Sequence, residues 1–273
     1  MGLEMKDFVH DGAVHPPLRS GRTMMLPRSR MFYAGRPFQR VEQPRLIANL
    51  NTAISRQPSQ IVDWAQRDRR AWAYGRFGKR VLDILLVLIA LPITLPLILL
   101  AALALWFEGG QPFYTQDRLG QRGRVFSILK LRTMVRNADQ LLEEHLARDP
   151  EMRREWNETQ KLKHDPRITP VGRFLRTTSL DELPQLWNVI IGEMSLVGPR
   201  PMLPDQLPLY GDARPYFLLK PGITGLWQVS VRNEGGFAVR AGSDASYCRT
   251  LSFRQDLAIL WRTVGVVLRG TGY

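Results

Sequence analysis

Residues 84–107 read ILLVLIALPITLPLILLAALALWF, a run of 24 residues without a charge. As an α-helix the run would be about 36 Å long, enough for the roughly 30 Å hydrocarbon core of a bilayer. It begins after residue 83, so it is not a signal peptide. The sequence therefore predicts a membrane-embedded helix, and the simplest interpretation is a helix that crosses the bilayer once.

Prolines within the run and basic flanks around it favour a different path. Pro92 and Pro96 lie near the middle, and each removes a backbone donor and crowds the preceding turn. The positive-inside rule places both basic flanks on the cytoplasmic side. A helix that breaks at the prolines and returns to the same leaflet satisfies both observations. Because prolines also occur in spanning helices, the residues alone leave both paths open. The flanking basic residues are Arg76, Lys79 and Arg80 before the run and Arg118, Arg122 and Arg124 after it.

The overall charge is strongly basic. The 273 residues include 38 Lys and Arg against 25 Asp and Glu, a formal net charge of +13, and 44% are hydrophobic. These values exclude a chain disordered throughout, a collagen-like repeat and an all-round hydrophobic multi-span protein. A basic excess is typical of proteins that bind nucleic acid or an anionic membrane face. The single cysteine, Cys248, excludes an intramolecular disulfide and a zinc site built from several cysteines.

Composition divides the chain into three parts. Residues 1–70 contain several prolines and no sustained periodicity, so we expect a basic, mobile N-terminal extension. Residues 71–110 combine an interfacial segment with the membrane helix, and residues 111–273 form the third part. The segment 61–80, which runs from the extension into the second part, suits a basic interfacial helix or an ordinary linker. Its aromatic residues are Trp64, Trp72, Tyr74 and Phe77.

Local patterns predict an α/β domain that is mostly helical with short strands. Residues 125–131 have the character of a strand, and residues 137–163 form a charged helical segment that is broken near Pro150. Residues 202–250 are rich in proline, glycine and polar residues, which indicates loops. The segment 253–268 is an amphipathic helix whose apolar stripe (Leu257, Leu260, Trp261 and Val264) suits either the protein core or the membrane surface.

The stretch Ser179-Leu180-Asp181-Glu182 has two interpretations. Ser179 and Glu182 match a capping box, and an acid at position 181 would meet a helix dipole. Alternatively, the helix N-terminus binds a phosphate, one carboxylate attacks phosphorus and the other holds Mg2+ on the phosphate oxygens. That chemistry needs cations to offset the two carboxylates. Arginines flank the stretch at positions 167, 173 and 176 before it and at position 200 after it.

Two further basic motifs could supply phosphate contacts. Gly198-Pro199-Arg200-Pro201 presents one arginine between two prolines that stiffen the backbone. Lys130 and Arg132 are two residues apart on the expected strand, so their side chains would share one face. Taken alone, these motifs equally suit a surface turn and a solvated strand face.

In their order along the chain, these motifs resemble a known family, the bacterial sugar transferases that act on polyprenyl phosphate, also called monotopic phosphoglycosyl transferases. The resemblance covers roughly residues 75–270. It is carried by Lys79-Arg80 with Asp83, by Pro96 and by three long segments. The segments are GGQPFYTQDRLGQRGRVFSILKLRTM (109–134), DPRITPVGRFLRTTSLDELPQLWNVIIGEMSLVGPRP (165–201) and KPGITGLWQVSVRN (220–233).

The resemblance implies an enzyme that moves sugar-1-phosphate from a UDP-sugar onto undecaprenyl phosphate and releases UMP. This reaction would start the assembly of an exopolysaccharide or related glycan. The resemblance also implies that Asp181 is a nucleophile that forms a covalent phospho-sugar intermediate. Glu182 would help to bind Mg2+, which is the expected cofactor.

The resemblance assigns the basic residues as well. Arg176 and Arg200 match the family's phosphate-binding arginines. Lys130 and Arg132 fall in its basic strand motif and would also contact phosphate. Asp256, in the C-terminal helix, matches an acidic position of the family's motif loosely.

The membrane helix would be re-entrant by the same resemblance. It would break at Pro96, with Pro92 as an additional proline, and it would enter and leave by the cytoplasmic leaflet of the bacterial inner membrane. The catalytic domain, residues 111–273, would then lie on the cytoplasmic face. The expected partners are the UDP-sugar donor, the undecaprenyl phosphate acceptor and inner membrane lipid.

The sequence departs from the family pattern at one position and leaves several questions open. Val231 stands where the family usually has glycine, which would change the loop if that glycine has a positive φ. A membrane-associated glycosyltransferase that releases UDP and a non-enzymatic basic scaffold remain alternatives. Nucleic acid is not an expected partner, since no helix-turn-helix, zinc finger or aromatic-rich RNA motif is visible. Galactose and glucose are the favoured sugars, and a homo-oligomer is compatible with the sequence.

Overall fold

The computed structural model describes residues 73–159, 162–230 and 236–268. These residues form a mostly helical protein with four short strands, as the sequence predicted. The N-terminal extension, Trp64, Trp72 and Val231 lie outside the described residues, and the expectations for them stay predictions.

Helix α1, Lys79–Phe107, contains the whole apolar run and follows one π-helical turn, Tyr74–Gly78. It continues through Pro92 and Pro96, so the interruption expected at the prolines is not a gap in the helix. The helix is long and apolar enough to cross a membrane, by length and composition. From residue 88 to residue 101 none of its side chains is buried. An apolar surface of this size needs lipid or another apolar partner to cover it.

Both ends of α1 pack against the elements that follow it in the chain, which together form the polar domain of the protein. Near the N-terminal end of α1, Val87 joins a buried cluster with Phe126 and Val189. Near the C-terminal end of α1, Leu105 joins another buried cluster with Leu131. Val87 and Leu105 are 18 residues apart, about 27 Å along a straight helix, so these two contacts lie far apart along the axis of α1.

Polar contacts tie down the same two ends. The Arg80 guanidinium donates to the carbonyls of Val189 and Ile190, and Asp83 Oδ1 accepts from the Leu196 amide at 3.0 Å. At the other end, Glu108 Oε1 accepts from the backbone amide of Val171 at 3.0 Å.

After α1 the chain forms an antiparallel hairpin of β1, Phe113–Leu119, and β2, Val125–Leu131. The strand predicted over 125–131 is confirmed, whereas β1 was not predicted. Phe126, Ile128 and Lys130 are the buried side of β2, in keeping with the alternation of a strand. Lys130 follows the same alternation as the two apolar residues, so its side chain is buried on their side of the strand.

Two charged helices follow the hairpin, α2, Ala138–Arg148, and α3, Pro150–Thr159. Asp149 Oδ1 accepts from the backbone amides of Glu151 and Met152, so an acidic cap starts α3 and the predicted break near Pro150 is confirmed. Helix α4, Pro170–Thr178, begins with a Thr169 cap that accepts from the Gly172 amide at 2.9 Å.

The remaining chain alternates short helices and two short strands. A 3-10 helix, Leu180–Gln185, leads into α5, Leu186–Ile191, and strands β3, Ser195–Val197, and β4, Gly222–Thr224, pair in parallel. Between these strands lie a 3-10 helix, Pro204–Leu209, and α6, Arg214–Leu218. After them come α7, Leu226–Ser230; α8, Phe237–Thr250; and α9, Phe253–Leu268.

The prediction of loops over residues 202–250 was wrong. Helix α8 has 14 residues, and Tyr247 and Cys248 on it are buried. Its glycine, serines and aspartate individually disfavour a helix interior, but burial of one face overrides that preference.

The apolar stripe of α9 lies mostly outside the core. Leu257, Trp261 and Val264 are exposed, and Leu260 is half-buried. The buried side of the helix is formed by Asp256 and Ile259 instead.

Candidate functional site

Asp181 and Glu182 lie in the 3-10 helix Leu180–Gln185, directly after α4. Ser179 joins the two helices with a left-handed backbone, φ 57°, so the chain changes direction there. A capping box needs an extended residue at that position, and the Ser179 side chain makes no capping hydrogen bond. The predicted capping box is therefore wrong, and the Glu182 carboxylate forms ion pairs with Lys130 and Arg200 instead.

Lys130 contacts both carboxylates. Its Nζ lies 2.8 Å from Glu182 Oε1 and 3.9 Å from Asp181 Oδ2. Arg200 Nη2 lies 3.3 Å from the same Glu182 oxygen. Lys130 comes from β2 and Arg200 from the loop after β3, so three separate segments meet at Glu182.

The two neighbouring carboxyl groups have pKa values shifted in opposite directions. Burial raises the pKa of Asp181 above its usual value, although Lys130 and Arg176 pull it down. Burial also acts to raise the pKa of Glu182, but Lys130 and Arg200 outweigh it and lower that pKa to about 2. Glu182 is therefore anionic at any physiological pH.

Glu182, Lys130 and Arg200 line a cavity of about 20 Å3. Sequence reasoning assigned Arg118 only to the basic flank of the membrane helix and did not consider Gln185. The hairpin register could have indicated Arg118: it pairs with Phe126, on the same side of the sheet as Lys130. The residues that line the cavity are Arg118, Ile128, Lys130, Glu182, Gln185, Arg200, Pro201 and Ile223.

Arg176 approaches Asp181 from the last turn of α4. Its Nε donates to Thr133 Oγ1 at 2.8 Å. The helix lies close to the segment after β2 because residue 172 is glycine: a Cβ there would be 2.1 Å from the Thr133 carbonyl oxygen. Any larger residue at Gly172 would move α4, and with it Arg176, away from Asp181.

Glycine contacts between β3 and β4 position the loop of Arg200. A Cβ on Gly222 would lie 2.1 Å from the Gly198 amide nitrogen, and a Cβ on Gly225 would lie 2.1 Å from the Gly198 carbonyl oxygen. Such an approach is open only to glycine. The buried Arg240 guanidinium also donates to the Arg200 carbonyl. The backbone of Arg200 is thus fixed from two sides.

The structure separates Arg132 from Lys130. Strand β2 ends at Leu131, so the alternation that would place both side chains on one face stops there. Arg132 donates to the carbonyls of Leu105 and Gly109 at 3.2 and 3.1 Å. Leu105 lies in the last turn of α1 and Gly109 just after it, where backbone carbonyls have no partner within the helix. Arg132 therefore holds the end of α1 and does not line the cavity.

Asp256 likewise holds the start of α1. Its carboxylate accepts from Lys79 Nζ at 2.5 Å, from the Tyr74 hydroxyl at 2.6 Å and from the Tyr247 hydroxyl at 2.5 Å. All of its partners among the described residues belong to this buried cluster, which lies outside the cavity.

The donor set fits Mg2+ together with a bound phosphate. Among the described residues no three His, Cys, Asp or Glu side chains cluster as a metal site would need. Asp181 and Glu182 nevertheless supply two adjacent carboxylates. Proteins commonly hold Mg2+ through one or two carboxylates and complete its shell with substrate phosphates and water.

Comparison with known proteins gives the family. A model of the bacterial sugar transferase family matches residues 74–270. The chain belongs to this family. The match includes every residue of the site described above.

Relatives share the same part of the chain. The UDP-galactose-lipid carrier transferase of Erwinia amylovora is 50% identical over 199 residues, 72% of this chain and 42% of that protein. The exopolysaccharide production protein ExoY of Rhizobium meliloti is 45% identical over 200 residues, 72% of this chain and 88% of that protein. The UDP-glucose:undecaprenyl-phosphate glucose-1-phosphate transferase of Caulobacter vibrioides is 40% identical over 201 residues, 70% of this chain and 69% of that protein. The chain thus spans less than half of the Erwinia protein's length.

Replacing Lys130 and Arg132 in turn should separate the two roles. We expect Lys130→Met to lower transferase turnover by about 10²-fold, because it removes a preorganised cation from the cavity. Arg132→Met should instead lower the free energy of unfolding by about 1–3 kcal/mol, since it leaves helix carbonyls unpaired. Turnover and thermal unfolding in detergent measure the two effects, with the exposed Lys163→Met as the control. Equal losses of turnover at positions 130 and 132 would contradict this assignment.

Proposed function

We propose that the protein transfers sugar-1-phosphate from a UDP-sugar to undecaprenyl phosphate and releases UMP, as the first step in assembling an exopolysaccharide or related glycan. One observation carries the proposal: the Asp181 and Glu182 carboxylates are adjacent, Lys130 contacts both and Arg200 contacts Glu182, in an element that packs against a helix with an exposed apolar surface. The names of relatives that act on UDP-sugars and undecaprenyl phosphate support the two substrates.

Asp181 is the nucleophile in this proposal. Its carboxylate accepts no hydrogen bond from the described residues, and its nearest cation is 3.9 Å away, so an oxygen lone pair is available. An Asp181 oxygen attacks the phosphorus next to the sugar. The bond from that phosphorus to the oxygen bridging the two phosphates breaks, and UMP leaves with that oxygen and its electron pair.

The surrounding cations make this attack of an anion on an anion feasible. Arg118, Lys130 and Arg200 face the cavity and offset the charge of the diphosphate. Glu182 stays anionic and would hold Mg2+ with the phosphate oxygens. Mg2+ would stabilise the negative charge that develops on the leaving phosphate.

The second half of the reaction regenerates the enzyme. A phosphate oxygen of undecaprenyl phosphate attacks the phosphorus held on Asp181. The bond from Asp181 to phosphorus breaks, the carboxylate reforms and the polyprenyl diphosphate sugar departs. One nucleophile therefore has to meet a soluble donor and a lipid acceptor in turn, which requires a site at the membrane surface.

A re-entrant α1 would provide that placement. Both ends of α1 contact one polar domain, while the residues between them are exposed. A helix that returns to the side it entered keeps both ends with that domain, on the cytoplasmic face of the inner membrane. Pro92 and Pro96 allow the bend without a gap in the helix. The exposed Leu257 and Trp261 of α9 would lie on the same lipid surface.

Nucleotide release decides the reaction. We expect purified protein with Mg2+, a UDP-sugar and undecaprenyl phosphate to release UMP, and Asp181→Asn to abolish release because an amide cannot act as this nucleophile. Release of UDP would mean transfer of the sugar alone, and silence with every UDP-sugar would favour a scaffold. A panel of donors that includes UDP-galactose and UDP-glucose would identify the sugar.

The pH dependence of turnover should follow the ionisation of the Asp181 carboxyl group. Its raised pKa means that turnover falls, as the pH drops, at a higher pH than for an ordinary aspartate, because only the ionised form attacks. Arg176 lowers that pKa, so Arg176→Met should move the acid limb of kcat/KM to higher pH. Arg173→Met, an exposed position on the same helix, should leave it in place. An unchanged acid limb in Arg176→Met would contradict the role given to Asp181.

The membrane path can be mapped with single cysteines after Cys248→Ala. We expect Arg76→Cys and Gln111→Cys, on opposite flanks of α1, to react with a membrane-impermeant maleimide in inside-out vesicles and not in right-side-out vesicles. Ile93→Cys, in the exposed middle of the helix, should react only after detergent is added. Labelling of the two flanks from opposite sides would mean that α1 crosses the bilayer.

A further inference from the structure

Gln185 is a buried polar residue that lines the cavity. It ends the 3-10 helix that carries Asp181 and Glu182, and its side chain is nearly inaccessible, with 2% of the residue exposed. Its carboxamide makes no hydrogen bond with any described residue. Because Gln185 lines the cavity, a ligand bound there can pair with the amide atoms that no described residue uses.

Asn188, three residues further on, shows what a structural amide does in the same region. It is also 2% exposed. Its Oδ1 accepts from the Leu129 amide at 3.0 Å, and its Nδ2 donates to the Ser127 carbonyl and to Glu193 at 2.9 and 2.8 Å. Asn188 therefore fastens α5 to β2 and the following turn, whereas Gln185 fastens nothing.

The local geometry places Gln185 beside the reacting groups. Residues three apart in a 3-10 helix lie one above the other, so Gln185 stacks on Glu182 along the cavity wall. Lys130 and Arg200 converge on Glu182 from the other segments. A donor whose phosphorus reaches Asp181 therefore comes within reach of the Gln185 carboxamide.

The chemistry of a carboxamide points to one kind of partner. It offers two N–H donors and a carbonyl acceptor. A phosphate oxygen would satisfy only the donors, and three cations already line the cavity to bind phosphate. A hydroxyl group both donates and accepts, so it satisfies both halves of the amide. The lining of the cavity also includes the apolar Ile128 and Ile223, which suit a neutral ligand group better than an anion.

We infer that Gln185 hydrogen-bonds a hydroxyl group of the nucleotide-sugar donor and so helps to set donor specificity. This inference rests on the proposed function. The hydroxyl belongs either to the transferred sugar or to the ribose, and donors that lack one hydroxyl at a time distinguish the two sources.

The test compares wild type with Gln185→Met, which keeps the length of the side chain and removes its polar atoms. Values of kcat/KM are measured from UMP release for the intact donor, for a series of deoxy-sugar donors and for the 2′-deoxy and 3′-deoxyribose donors. Wild type should prefer the intact donor over one deoxy donor by about tenfold, the effect of one hydrogen bond. Gln185→Met should lose that preference and keep the others. The exposed Gln140→Met should behave as wild type.

Each outcome has one meaning. Loss of discrimination at a single hydroxyl supports the inference and says whether the sugar or the ribose is bound. Unchanged discrimination at every hydroxyl in a folded Gln185→Met protein overturns it, while UMP release by wild type would leave the proposed function intact. If Gln185→Met does not fold, Gln185→Glu replaces it, since its shape is the same and it lacks the N–H donors. If wild type releases no UMP, the proposed function fails, and the inference fails with it if calorimetry shows the same dissociation constants for all donors in wild type and variant.

Discussion

A long apolar helix held at both ends by one polar domain is the constraint on which the rest of the structure depends. The middle of α1 exposes leucine and isoleucine side chains that are costly to leave in water. Its ends are fastened by charged side chains: Asp83 binds β3, and Arg132, next to β2, binds the last carbonyls of the helix. The same two strands lead to Arg200 and carry Lys130. The seating of the helix and the geometry of the cavity are therefore set by the same elements.

Electrostatic compensation explains why the cavity is assembled from distant segments. Two adjacent carboxylates repel each other, and their burial is unfavourable unless cations approach closely. No single short segment supplies them: Lys130 comes from the hairpin, Arg200 from the loop between β3 and α6, and Arg176 from α4. Glycines at positions 172, 198 and 222 let these backbones approach closely enough. Packing of glycine against backbone is thus a precondition for the charge arrangement.

Local patterns predicted much of the fold, and their failures have identifiable causes. Hydrophobic length predicted α1, and alternation predicted β2, because these signals depend on neighbouring residues. Helix α8 was missed, since its composition disfavours a helix and tertiary packing supplies the stability. Lys130 and Arg200 were chosen as candidates, but nothing local showed that they share Glu182 as a partner. Arg132 was grouped with Lys130 because the alternation was extended one residue beyond Leu131, where both the predicted strand and β2 end.

Small differences in the distance to Lys130 and Arg200 give the two neighbouring carboxyl groups different pKa values. Lys130 lies 2.8 Å from Glu182 and 3.9 Å from Asp181, and Arg200 contacts Glu182 directly. The nearer charges outweigh the burial of Glu182, whereas burial dominates at Asp181, so their pKa values move apart. Groups driven apart in this way suit different tasks in one reaction. In the proposed reaction, a permanently anionic Glu182 suits the binding of cations, and closer pairing of Asp181 with Lys130 would suppress the nucleophilicity that its role requires.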